Sequence, residues 1–230
     1  GYEWDNRPLY QSVVKGTPIA GVYALGNTSK GYTVNLSLKA EKHFNFGLDL
    51  MASYTWTRSR SAANGGSSVA KSNWTYQYTY RDCNDLEVGN SAYNVPHRIQ
   101  ASAYYHIKYG HQMQWQTTLG VIYQGKSGSP YTYYYYGDVN EDGSKGNDLF
   151  YIPTDAQIDK MRFEETKYNK NTFTNRMFGD NHGDKLTEEM QREMLKKWIA
   201  DDSYLSKHRG EYYERYADNL AFEHHFDVHF

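Results

Sequence analysis

Two pairs of long segments in which apolar and polar residues alternate strictly place the strongest constraint on the fold of this chain. In the first pair the apolar members are Tyr32, Val34, Leu36, Leu38 and Ala40, followed by Phe46, Leu48, Leu50, Ala52, Tyr54 and Trp56. In the second pair they are Ile99, Ala101, Ala103, Tyr105, Ile107 and Tyr109, followed by Met113, Trp115, Leu119, Val121 and Tyr123. A period of two indicates β-strands with one apolar and one polar face.

The length of these strands and their connections narrow the fold class. Each pair has a short turn at one end and a long polar segment at the other, which is typical of an antiparallel transmembrane β-barrel of the outer membrane. Two hairpins cannot close a barrel, so we expect a mainly β, incomplete barrel. The predicted strands cover residues 31–42, 45–58, 97–109 and 113–125. Matching the apolar faces places Ala40 opposite Phe46, and Ala103 opposite Leu119.

The composition is compatible with this fold, and it argues against a helical membrane protein, a nucleic-acid-binding protein and a disulfide-linked domain. The 230 residues have a mean hydropathy of -0.88, and no run approaches the roughly 18 apolar residues of a membrane helix. A barrel tolerates a polar sequence because half of each strand faces the lumen. The net charge of -2 gives no electrostatic basis for binding nucleic acid. A single cysteine, Cys83, excludes an intrachain disulfide.

Two long polar segments, 59–95 and 126–220, are predicted to be loops. We expect a short strand at Trp74–Tyr80 and one loop helix near 187–201, with Thr187 as its N-cap and acidic residues in its first turn. The even spacing of Phe222, Phe226, Val228 and Phe230 predicts one more strand.

The loop residues 138–148 are a candidate calcium site. The candidate ligands are Asp138, Asn140, Asp142, Ser144 and Asp148. Oxygen-bearing side chains at alternate positions before Gly143 resemble a calcium-binding turn, in which the glycine allows a sharp bend. Leu149 stands where an EF-hand loop has its final Glu, so an Asx-rich turn satisfied by its own backbone is the alternative.

Aromatic residues of the loops are the candidate ligand contacts. They are Trp74, Tyr133, Tyr134, Tyr135 and Tyr136. Such rings stack on planar or sugar ligands, although a run of Tyr also suits a strand crossing the membrane interface. No nucleophile, zinc or phosphate motif occurs in the sequence, so we expect no enzymatic activity and no required cofactor.

Several stretches, in order along most of the chain, resemble the C-terminal part of the barrel in TonB-dependent outer-membrane receptors. They are Asn27–Tyr32, Tyr54–Trp56, Val95–Ile99, Tyr123–Tyr131, Gly146–Pro153 and Tyr204–Tyr212. The most similar group is the Oar-like one, which is related to SusC-type transporters. The sequence departs from the common pattern at residues 215–219 and at His224-His225.

The resemblance implies a location, a function and partners. Residues 1–230 would be part of one barrel domain in the outer membrane of a Gram-negative bacterium, with the plug domain and the TonB-contacting segment outside this sequence. The protein would import an extracellular glycan, peptide or metal chelate with energy supplied through TonB. Its partners would be membrane lipid, its own plug, TonB and a surface lipoprotein. The alternative is a soluble β-sandwich that binds glycans with the same aromatics.

Overall fold

A computed structural model describes residues 3–10, 22–24, 26–85, 87–167 and 185–230. Its elements, in chain order, are β1 (Gly31–His43), β2 (Leu48–Ser61), α1 (Ala70–Thr75), β3 (Gly89–Asn90), β4 (His97–Tyr109), β5 (Trp115–Lys126), β6 (Pro130–Tyr131), α2 (Asp155–Ile158), β7 (Thr166–Lys167), β8 (Lys185–Leu186), α3 (Glu188–Asp201), β9 (Asp218–Asn219) and β10 (Glu223–His229). The chain is therefore mainly β, with antiparallel sheets and few helices, as the sequence predicts.

The long strands form one antiparallel sheet in the order β1-β2-β4-β5-β10, and β3 pairs with the end of β2. Within the described residues the sheet does not close, and β1 and β10 are its two edges. The turns between β1 and β2 and between β4 and β5 lie at the same end, where the His106 amide donates to the Gly47 carbonyl at 2.8 Å.

The predicted faces of the strands are confirmed except at Phe46 and Met113, which lie in the turns, and the predicted registers are wrong. Ala40 pairs with Ala52 instead of Phe46, and Ala103 pairs with Val121 instead of Leu119. The first shift arises because β1 continues to His43 and the chain reverses after it. In the second hairpin, residues 110–114 form a longer turn that includes a 3-10 segment. Both shifts are even in number, and an even shift keeps every side chain on its face.

The apolar face of the sheet is exposed. Leu36 and Leu38 on β1 are 60% and 67% exposed, and Leu119 and Val121 on β5 are each 45% exposed. A sheet in water normally covers such a face with another layer. These strands therefore present a continuous apolar surface to their surroundings.

The buried core lies outside this sheet. It consists of Ile152, Ile158, Ile199, Leu205 and Tyr213, with Tyr133, Phe150, Leu195 and Trp198 packed around it. We call the described residues 62–85, 87–96, 127–167 and 185–222, together with 3–10, the loop assembly. It lies at the end of the sheet opposite the tight turns.

The two predicted loop elements have different outcomes. The helix near 187–201 is confirmed as α3, and the Thr187 hydroxyl caps it by accepting the Met190 amide at 3.2 Å. The prediction of a strand at Trp74–Tyr80 is wrong. Helix α1 occupies residues 70–75, and within the predicted span only Thr79 makes a β-bridge, to Asp148.

No described helix has the length and apolar character needed to cross a membrane.

Candidate ligand-binding site

The polar face of the sheet forms one wall of the candidate site. Hydroxyl and amide side chains pair across the strands: the Thr57 hydroxyl donates to Asn35 Oδ1 at 2.7 Å, and Ser37 and Thr55 hydroxyls are 2.9 Å apart. A cavity of about 830 Å³ lies against this wall. Asn64, Ser91 and Tyr93 of the loop assembly also line it, so the wall and the loops share one space.

Charged groups lie at both ends of this wall. Near the loop assembly the wall carries Arg98 and Gln100 beside the cavity. At the turn end, Asp49 contacts two histidines, His43 Nδ1 at 2.8 Å and His106 Nε2 at 3.1 Å. The face is therefore polar along its whole length, as expected for a barrel lumen.

An ion pair far apart in sequence anchors the loop assembly. Arg7 is buried and its Nη1 donates to Asp148 Oδ1 at 2.9 Å, while Nη2 donates to the Leu149 carbonyl at 2.9 Å. The guanidinium also lies over the rings of Tyr135 and Tyr212, at 5.2 and 5.6 Å. Burial raises the pKa of Asp148, although Arg7 and the Val139 amide act in the opposite direction.

The predicted aromatic contacts separate into buried and exposed rings. Tyr133 belongs to the loop core, where it packs edge-on against Trp198 and Tyr213. Tyr135 packs against Phe150 and Arg7, and burial raises its pKa to about 12. These two rings are therefore packed in the interior of the loop assembly.

Three other predicted rings remain accessible. Tyr136 is 90% exposed and Tyr134 is 43% exposed. The Trp74 indole donates to Asn84 Oδ1 at 2.9 Å and lies edge-on to Tyr23, beside a second cavity of about 690 Å³. Of the five predicted contacts, these three are placed where a ligand can reach them.

Sequence reasoning missed a further cleft of about 300 Å³ in the loop assembly. Stacked rings of Tyr80 and Tyr212, with centroids 4.1 Å apart, line it. Buried Arg215 lies at the same cleft, and burial lowers its pKa. Residues 80 and 212 come together only through the fold, so no local sequence pattern indicated this cleft.

The predicted calcium ligands lie on one tight turn, with one exception. Asp138 accepts the amides of Asp142 and Gly143, at 3.1 and 3.0 Å, and Asn140 accepts the Asp142 amide at 3.1 Å. Asp148 instead makes its ion pair with Arg7. Among the described residues, no group of three or more His, Cys, Asp and Glu side chains is placed to hold a metal.

Comparison with known proteins gives the class of the chain. The family model for the outer membrane beta barrel domain matches residues 5–207, which is most of the chain. The chain therefore belongs to the outer membrane beta-barrel domain family, in agreement with the exposed apolar face and the polar opposite face of its sheet. Searches of curated proteins and of solved structures gave no significant match.

Proposed function

We propose that this chain is part of the barrel wall of a TonB-dependent receptor, which binds a ligand outside the cell and imports it with energy supplied through TonB. The observation that carries this proposal is the asymmetry of the sheet. Tight turns lie at one end, and at the other end an aromatic loop assembly lies above a polar cavity of about 830 Å³. A receptor needs such a binding surface outside and a polar path inside.

The same asymmetry sets the proposed orientation. Barrels of the outer membrane have short periplasmic turns and longer extracellular loops. The turns after β1 and β4 would then face the periplasm of a Gram-negative cell. Other strands would continue the sheet at the open edges of β1 and β10, and a plug domain would occupy the lumen beside the polar wall.

Accessible aromatic and polar groups support the proposed classes of ligand. Tyr134, Tyr136 and Trp74 offer ring faces, while Arg98 and Gln100 offer hydrogen-bond donors at the cavity. Rings combined with polar groups suit a glycan, a peptide or a metal chelate. The reaction is transport without bond cleavage, and a surface lipoprotein could present the ligand to the loops.

Growth of the host bacterium tests import. A strain without the gene and a strain without TonB are compared with wild type on a panel of glycans, peptides and metal chelates as limiting nutrients. We expect both deletions to abolish growth on the same nutrient, and the gene with Tyr136→Ala and Trp74→Ala to restore it only in part. Unchanged growth of the gene deletion on every nutrient would contradict the proposal.

Fractionation separates the barrel from the β-sandwich alternative. A sandwich hides the apolar faces of its sheets against each other, whereas Leu36 and Leu38 are largely exposed in this chain. We expect the full-length protein in the outer-membrane fraction, soluble only with detergent. Recovery of folded protein in buffer alone would support the sandwich.

A further inference from the structure

The geometry points to a calcium ion bound at the turn that begins at Asp138, and we propose it as a structural site of the loop assembly. Its ligands would be the side-chain oxygens of Asp138, Asn140, Asp142 and Asn147 and the carbonyl of Ser144; we call these residues the calcium turn. This site does not depend on the proposed import function, because it is argued only from the residues of the loop.

An unpaired buried amide gives evidence that is independent of the turn itself. Asn147 has no exposed surface, and within the described chain its Oδ1 has no hydrogen-bond partner. Its Nδ2 lies 3.4 Å from Asp142 Oδ2, so the amide group lies against the carboxylate of the turn. A buried acceptor without a donor is unfavourable. A cation beside Asp142 would give this oxygen its missing partner.

The charges of the region match a divalent ion. Four carboxylates lie in this loop, but Glu141 is exposed to solvent and Arg7 neutralises Asp148 at 2.9 Å. Asp138 and Asp142 remain, and no ion pair joins either of them to a Lys or Arg of the described residues. Two negative charges close together repel unless a cation lies between them. Two uncompensated charges are balanced by one calcium ion.

The donor set distinguishes calcium from other metals. Carboxylate, amide and carbonyl oxygens are hard ligands, which suit Ca²⁺ and Mg²⁺ rather than zinc. The turn offers neutral oxygens from Asn140 and Asn147, both fully buried. Mg²⁺ keeps several waters and demands near-octahedral geometry, whereas Ca²⁺ accepts an irregular set of protein oxygens. The buried amides therefore favour calcium.

The proposed ligand set also accounts for the absence of the final Glu of an EF-hand loop. Gly143, at φ +86°, makes the bend that brings the first three ligands together. Leu149 occupies the position of that Glu and is buried. Asn147, two residues earlier, contacts the Asp142 carboxylate through its amide group, and its unpaired oxygen would take the place of the missing carboxylate.

Titration calorimetry of the full-length protein in detergent, freed of metal with EGTA, tests the site with CaCl₂ and MgCl₂ as probes. We expect calcium to bind with one equivalent and magnesium to bind at least tenfold more weakly. Asp138→Asn and Asp142→Asn should each weaken calcium binding at least tenfold. Glu141→Gln is the matched control, because Glu141 is exposed and within the same turn, and it should bind as wild type does.

A second variant tests the site in case the first substitutions prevent folding. Asn147→Asp keeps the shape of the side chain and adds a third charge to the site, so we expect tighter calcium binding and a larger rise in the unfolding temperature with calcium. Absence of heat with wild-type protein, or equal binding by Asp142→Asn and wild type, would overturn the proposal. Neither result affects import, which is measured separately by growth.

Discussion

The sheet and the loop assembly are stabilised by different interactions. In the sheet, regular backbone ladders satisfy the polar groups, while Leu36 and Leu38 remain exposed. In the loop assembly, no described regular element other than α3 has more than six residues, yet Ile152 and Ile199 are completely buried. The loop assembly thus carries its own core, whereas the sheet depends on an apolar environment outside the chain.

This difference matches the two environments of an outer-membrane barrel chain, which are the lipid bilayer and water. In a bilayer, backbone groups must be paired internally and apolar side chains face outward. In water the arrangement is reversed, and loops need side chains to satisfy their backbone groups. Arg7 does this by donating to the Leu149 carbonyl. Variants in each part should therefore respond differently to the same kind of substitution.

The largest effect is expected from Arg7→Met in the loop assembly. It leaves Asp148 buried without its partner, and breaking a buried ion pair on one side costs about 3–5 kcal/mol. Hydrogen exchange of the full-length protein in detergent should then rise in residues 147–153 and 212–215 and remain unchanged in β1 and β2.

The matched control for Arg7 is Arg81→Met. Arg81 forms a similar pair with Glu87 at 3.3 Å, but both side chains are more than half exposed. Exposed pairs contribute at most about 1 kcal/mol, so little change is expected. An equal effect of the two variants would show that burial does not decide the role of Arg7.

A slightly smaller effect is expected from Ile199→Ala. Ile199 is fully buried in the loop core, and removing such a side chain costs about 2–5 kcal/mol. Limited proteolysis should cut the 185–222 segment faster while the strands stay resistant. Met190→Ala on the same helix, at a partly buried position, is the control. Simultaneous loss of strand protection would mean that the two parts unfold as one unit.

Leu38→Arg tests the environment of the sheet. At mid-depth on a lipid-facing strand, an arginine costs about 2–4 kcal/mol. The adjacent Ser37→Arg places the same charge on the polar face and should cost much less. Urea unfolding of the protein in lipid vesicles measures both. Equal stability of the two variants would contradict a lipid-facing apolar surface.

How much the sequence predicted also differs between the two parts. The strands and their faces follow from alternation, which is a local property, and both were predicted correctly. The registers failed because they depend on turn conformation: Gln112 and Met113 both adopt positive φ, which no residue type there indicates. In this second hairpin the turn is two residues longer than predicted, which moves every pair by two positions; in the first hairpin the chain reverses later, and every pair moves by six.

The loop assembly was less predictable because its contacts join distant residues. Helix α3 was predicted from its N-cap and from the acidic residues of its first turn, both local signals. The role of Tyr133 as a core residue depends on Trp198 and Tyr213, which are more than 60 positions away. Arg7 and Asp148 are separated by 141 positions, and residues near Arg7 show no pattern that would identify it.

The smallest effect is expected at the start of α3. The Thr187 hydroxyl accepts the Met190 amide, and loss of such a cap costs about 1 kcal/mol. Thr187→Ala should therefore raise hydrogen exchange only in the first turn of α3, while Thr187→Ser, which keeps the hydroxyl, should behave as wild type. Since the core contact of α3 is made by Ile199 near its other end, the loop assembly should survive this change. A general loss of protection in the assembly would show that its stability depends on helix initiation as well as on its buried core.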